Sequence, residues 1–194
     1  MRTSHPRRFP RSPLNHTGFT LVEVMIAVVV GTVATYILSS SVTSAVSSTV
    51  TRQQRAVAAE GAMNRMELIR ATPVDAVFAL FNADPTDDPG GAGTAPGPHF
   101  SVDGLPPVLD EDGAPLPIGT VLLPGLGAVL DETLEQPEFG LPRDLDGDLE
   151  VRPGDCSRRY LVLPVTVRIR WRSRLGDRSL ELSTLLVDLE KITR

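Results

Sequence analysis

The chain has 194 residues, room for one domain of ordinary size plus an anchor. Hydrophobic residues make up 41% and aromatics 5%, so a core must be built mostly from Val, Leu and Ala. The formal net charge of -5 hides a polarity: residues 1–18 carry Arg2, Arg7, Arg8 and Arg11 and no acid, and the remainder holds 15 basic and 24 acidic residues, which argues against general nucleic-acid binding.

Cys156 is the single cysteine, so no intrachain disulfide can form, and a lone thiol of this kind is expected to be inert. His5 and His16 fall in the basic leader, which leaves His99 as the one histidine beyond it. Histidine-based catalysis and histidine-rich metal sites have almost no material here. No nucleophile–base pair and no phosphate-binding loop stands out either, and the expectation is that the protein is not an enzyme.

In chain order, the basic leader 1–18 comes first and a run of twenty residues follows, Phe19 to Leu38, with Glu23 as its one charge. As a helix this run spans roughly 30 Å, the thickness of a bilayer core. The basic flank predicts a single-pass segment with the N-terminus in the cytoplasm and the C-terminal bulk outside. A secretory signal peptide is the alternative. The run is longer than a usual signal core and lacks a convincing small-x-small cleavage site, although Ser39–Ser41 resembles one.

The junction His16-Thr17-Gly18-Phe19-Thr20-Leu21-Val22-Glu23 combines a terminal glycine, a phenylalanine and a glutamate five residues after the glycine. It resembles the leader junction of type IV pilins and type II secretion pseudopilins. The resemblance implies cleavage between Gly18 and Phe19 by a prepilin peptidase and N-methylation of Phe19. It further implies residence in the inner membrane, then assembly with other pilin or pseudopilin subunits, through an inner-membrane platform, into a pilus or pseudopilus fibre. A carboxylate within a bilayer costs a few kcal/mol on insertion scales and calls for a partner. Glu23 can compensate its own helix N-terminus. It can also pair with the Phe19 amine that cleavage creates on a neighbouring subunit, and the resemblance favours this second role, an assembly contact.

Beyond Leu38 the pattern predicts one helix from about Phe19 to Thr72, soft across Ser39–Thr51, where serine, threonine and valine dominate. Ala59, Met63, Met66 and Ile69 form its predicted apolar face, and Pro73 its stop. Major pilins commonly carry a proline about twenty residues into this helix, where this chain has Ser39-Ser40-Ser41. A globular domain is expected from residue 73 to 194. Residues 85–124 hold nine prolines and seven glycines and read as loop, with short strands at His99–Val102 and Thr120–Leu123.

Asp144, Asp146, Asp148 and Glu150 then alternate along the chain, and Asp155 follows. Calcium takes several hard oxygen ligands from a flexible loop. Asp144, Asp146, Asp148 and Asp155 fit four ligand positions of a twelve-residue calcium loop, but Leu149 stands where that loop requires glycine. The other reading is an Asp-Gly turn with solvated acids. Calcium is the one cofactor the residues suggest.

Leu161, Leu163, Val165, Val167, Ile169 and Trp171 alternate with Thr166, Arg168, Arg170 and Arg172, a strand with one wet face. A turn is expected at Arg174-Leu175-Gly176-Asp177, then a second strand, with a bulge or two-sided burial after Thr184, where the apolar phase shifts to Leu185, Val187 and Leu189. Arginines of the first strand are expected opposite Glu181, as a solvated face or as a basic patch for an anionic partner. This hairpin, spanning about 160–190, resembles the C-terminal hairpin of minor pilins and pseudopilins of the PilV and GspI type. The fold class is therefore α+β: a long N-terminal helix, transmembrane over 19–38, whose outer half packs on a small antiparallel sheet. The leading functional reading is a structural minor pilin or pseudopilin. The alternative is a membrane-anchored ligand-binding module that never polymerises.

Overall fold

The computed structural model describes residues 20–192. The leader 1–18 and Phe19 lie outside them. Two compact units divide the chain, one ending at Ser48 and the other beginning at Thr49. One helix, α1 (Leu21–Ala71), contributes to both. It matches the predicted helix to within two residues at each end.

In the first unit the Ser/Thr content does not break the helix. The hydroxyls of Thr32, Thr35, Ser40, Thr43, Ser47 and Ser48 each donate to a carbonyl three or four residues earlier. This satisfies polar groups that an apolar surrounding would otherwise penalise. The helix ends because Pro73 cannot continue it and restricts the residue before it. Thr72 closes the end, its N–H on the Ile69 carbonyl and its hydroxyl on that of Leu68.

The second unit is α+β. A second helix, α2 (Val74–Phe81), follows at once, with Pro73 now preceding its first residue. The sheet is antiparallel throughout and ordered β1 (His99–Phe100), β2 (Gly119–Leu122), β3 (Val162–Ser173), β4 (Gly176–Val187). A short turn of helix, α3, covers Leu189–Ile192. Both strands expected within 85–124 are present: β1 is shorter, stopping at Phe100, and β2 keeps its four residues but begins one earlier, at Gly119.

The predicted hairpin forms, with three differences. Ser173 pairs with Gly176, so the loop is only Arg174-Leu175, and Gly176 and Asp177 belong to β4. Gly176 closes this tight loop at φ +105, which an L side chain rarely adopts. Pairing then runs one to one as far as Val162 with Val187, so the bulge expected after Thr184 is absent. The burial expected on both faces is absent too: Leu180, Leu182 and buried Leu186 keep the inward phase, while Leu185 and Val187 lie on the outer face, partly exposed.

The helix face against the sheet is also corrected. Ala58, Ala62, Met66 and Ile69 are buried, while Met63 is 58% exposed and Ala59 only half-buried. Close approach selects the small residues. A Cβ at Gly61 would stand 2.9 Å from both γ-methyls of Val102 and 3.3 Å from Ile169. The helix rests on the sheet through alanine and glycine, and Leu163, Val165, Val167, Ile169 and Trp171 fill the opposite side.

The chain between β2 and β3 has no strand, yet Leu130, Leu141, Leu145, Cys156 and Tyr160 anchor it in the same core. Buried Tyr160 ties it to α2: its hydroxyl donates to the Val74 carbonyl and accepts from the Phe78 N–H.

Candidate functional site

Two regions carry the functional expectations: the start of α1, and the acidic loop before β3. Of the predicted processing and assembly residues, Gly18 and Phe19 lie outside the described residues, and Glu23 stands in the first turn of α1. The Thr20 hydroxyl accepts the Glu23 N–H at 3.2 Å, and the Thr20 carbonyl accepts the Val24 N–H at 3.2 Å. Thr20 therefore caps the helix from the second position after the predicted cleavage point. The signal was present in the sequence: Thr20-Leu21-Val22-Glu23 has the Ser/Thr-x-x-Glu spacing of a capping box, and it opens an apolar run. Reading Glu23 only as a charge in need of a partner overlooks it. The Glu23 side chain is exposed, as are the apolar residues that follow it. Among the described residues of the first unit, nothing covers Leu21, Val22, Met25, Ile26, Val29 or Val33. The helix is long and apolar enough to cross a membrane.

Residues 14–35 match the prokaryotic N-terminal methylation motif. The matched stretch contains the Gly18–Phe19 junction, Glu23 and all but the last three residues of the apolar run, and so the residues that carry the type IV pilin-like resemblance. The chain's long helix on a four-stranded antiparallel sheet has the pilin-like layout. The motif and the exposed apolar helix together fit membrane anchoring. No curated protein and no solved structure matches the chain.

The acidic loop is built differently from its sequence pattern. Carboxylate oxygens of Glu132, Asp144 and Asp146 lie within 4.8 Å of one another. Glu132, which the alternating pattern does not reach, is 3% exposed and is held by the N–H groups of Leu145 at 2.9 Å and Asp146 at 3.0 Å. An acid in the polar stretch Asp131-Glu132-Thr133 gives no sequence signal of such burial; only the fold brings it beside the loop. Asp144 accepts from the N–H groups of Gly147 at 2.6 Å and Leu149 at 2.8 Å. Asp146 is paired with Arg159 at 3.0 Å.

The other predicted ligands are not part of that group. Asp148 and Glu150 both face Arg152. Asp155 accepts from the N–H groups of Leu130 and Ser157. Against partial desolvation, the hydrogen bonds from Ser157 and Leu130 and the charge of Arg158 hold its carboxyl below the usual carboxylate range. Leu149 adopts φ +69, the left-handed conformation that the calcium loop assigns to glycine, with its side chain 91% exposed.

Cys156 lies beneath this loop, fully buried, its thiol directed to the Leu130 carbonyl. Burial, and then the carboxylates of Glu132 and Asp146, push its pKa up to about 12. The thiolate is the reactive species, so the thiol is poorly nucleophilic at neutral pH. His99 lies in β1 beside Thr120, whose hydroxyl is 3.5 Å from its Nδ1.

Proposed function

We propose that the chain is a structural subunit, a minor pilin or pseudopilin. It is cleaved after Gly18, methylated at the Phe19 amine, and assembled through α1 into a type IV pilus or a type II secretion pseudopilus. The methylation motif over residues 14–35 carries this reading, and proteins defined by that motif in the pilin-like class are structural rather than catalytic. Three further observations support it. An apolar helix without tertiary cover among the described residues needs lipid first and neighbouring helices afterwards. Ser39–Ser41 stands where major pilins commonly have proline, and the C-terminal hairpin resembles that of minor subunits.

Mass spectrometry of the N-terminal peptide tests processing. The expected product begins with N-methylated Phe19; an intact leader, or cleavage near Ser39–Ser41, overturns the reading. Glu23→Ala tests assembly. Fibre incorporation is expected to fall at least tenfold while the membrane-bound amount is unchanged. Undiminished incorporation removes Glu23 as the assembly contact, and a wild-type chain that never enters a fibre supports the anchored binding module instead.

For the acidic loop, calcium is proposed at Glu132, Asp144 and Asp146, a set of hard oxygen donors that suits the ion and of which Arg159 is the internal competitor. Calorimetric titration of the full chain in detergent is expected to give heat and a raised Tm with calcium, both lost in Asp144→Asn. No heat and no thermal shift removes the site.

A further inference from the structure

The charge of the second unit is segregated. Residues 73–161 hold 17 acidic and 4 basic residues, whereas the hairpin 162–187 holds 5 arginines and 2 acids. Within the unit, the hairpin runs antiparallel to α1. Thr184 meets Arg70, Ile169 lies against Gly61, and Trp171 and Arg178 share a groove with Thr51 and Arg55. The hairpin tip therefore projects at the end of the unit where the chain enters at Thr49. Two more residues on each strand carry it about 7 Å past the Trp171–Arg178 pair.

That end gathers Arg52, Arg55, Arg172, Arg174 and Arg178, all exposed, around the two-residue loop where Leu175 stands 73% exposed. Among the described residues, none of the five arginines has a carboxylate within ion-pair distance. Asp177 lies opposite Arg172 in the ladder, beyond that distance. Glu181, which lines the same groove, is engaged by Arg168 at 2.6 Å. The positive charge of this end is thus not neutralised by the described residues of the unit, although the chain as a whole is acidic.

We propose that this end of the unit, the Arg174-Leu175 tip with Arg52, Arg55, Arg172 and Arg178, docks on the anionic headgroups of the bilayer that holds the chain's own anchor. The inference rests on the anchored reading above. Chemistry favours lipid over an acidic protein surface. An exposed leucine ringed by arginines fits a headgroup–acyl boundary, where the cations meet phosphates and the apolar side chain leaves water. Connectivity favours it too. Ten residues lie between Leu38 and Thr49, eleven steps or about 16 Å along the chain at helical rise, so the short tether holds this end at high effective concentration near the surface. Docking of this kind would hold the subunit at the membrane until assembly withdraws it.

The test uses the full chain in nanodiscs of phosphatidylcholine, with or without phosphatidylglycerol, carrying a fluorophore on Leu175→Cys. Cys156 is fully buried, and the wild-type chain serves as the labelling control. Co-elution with phosphatidylcholine nanodiscs reads the anchor by itself. Adding phosphatidylglycerol is expected to lower acrylamide quenching at position 175 severalfold. Raised salt should restore quenching, and each of Arg172→Gln, Arg174→Gln and Arg178→Gln should reduce the docked population by about fivefold. A label at Leu149→Cys in the acidic loop is expected to stay equally quenched throughout. Three results overturn the proposal: equal quenching at 175 in both lipids with co-elution intact, protection that rises with protein density in phosphatidylcholine alone (a second copy as the partner), or failure to co-elute, which removes the anchored reading itself.

Discussion

Cys156 and Tyr160 are buried polar side chains in one short stretch of chain, and both acquire a pH dependence from their burial. The Cys156 thiol is raised from an ordinary value of 9.0 to about 12 by burial first and by Glu132 and Asp146 next. Burial raises the Tyr160 hydroxyl from 10.0 to about 12, outweighing the Phe78 N–H that favours its charged form. Both groups are neutral when protonated, and both have folded-state values above their unfolded ones. Their contribution to stability is therefore complete below about pH 9 and is lost as pH rises through about 12. Stability measured by urea unfolding is expected to be flat in pH from neutrality to about 9 and then to fall. In Cys156→Ala the fall should begin nearer 10, where Tyr160 takes over. An identical alkaline profile in the variant would show that the thiol is not held neutral by the fold. The same burial predicts that the native thiol resists alkylation and reacts on unfolding.

At the scale of elements, a triad of contacts fixes α1 to the short strands β1 and β2. The Phe100 ring lies over Gly119, its direct partner in the ladder, where a Cβ would stand 2.4 Å from the ring. The same ring stacks on the Arg65 guanidinium, 4.9 Å from its centroid, with Phe81 of α2 at 4.9 Å from that guanidinium as well. Arg65 also donates to the Gly97 carbonyl at 3.2 Å. Helix, strand and the loop that leads into the strand meet on one arginine. Gly119→Val is expected to displace Phe100, dismantle both stacking contacts and destabilise the unit by about 1–3 kcal/mol, read by thermal or urea unfolding. An unchanged Tm would show that β1 contributes nothing to the fold.

What was legible in the sequence follows the strength of each period. The hairpin was legible because a two-residue alternation from Leu161 to Trp171 admits one exposed face, and Arg168 does meet Glu181 across it. The long helix was legible from length and apolarity. Its inward face holds Met66 and Ile69 as expected, but Ala59 and Met63 give way by one position to Ala58 and Ala62, the small residues that close approach over Gly61 selects. α2 was missed because eight residues after a proline, apolar but for Asp75, show neither period. In the candidate site, Asp144 and Asp146 were readable from spacing, but Glu132 and Arg159 reach them only through the fold.

At the scale of the whole chain, stability is unevenly supplied along α1. From Ala58 to Ile69 the helix is buried against a core, and its amides should open only with that unit. From Leu21 to Leu38 the side chains are exposed, but they are apolar and suited to lipid, where an intact helix is the cheapest state for the backbone. Ser39–Thr51 has neither support. Its residues are indifferent helix formers, and most of its side chains are exposed. Hydroxyls that bond back to carbonyls three or four residues earlier satisfy the side chains without adding tertiary contacts. Neighbouring helices are the cover this stretch lacks, and under the proposed function they arrive only on assembly. Amide hydrogen exchange of the full chain in a bilayer mimetic is therefore expected to be fastest, within α1, over residues 39–51. Protection should rise at least tenfold in that segment once the chain is in a fibre. Uniform slow exchange along α1 before assembly would mean that local back-bonding alone stabilises this stretch, and that assembly has no soft segment to order.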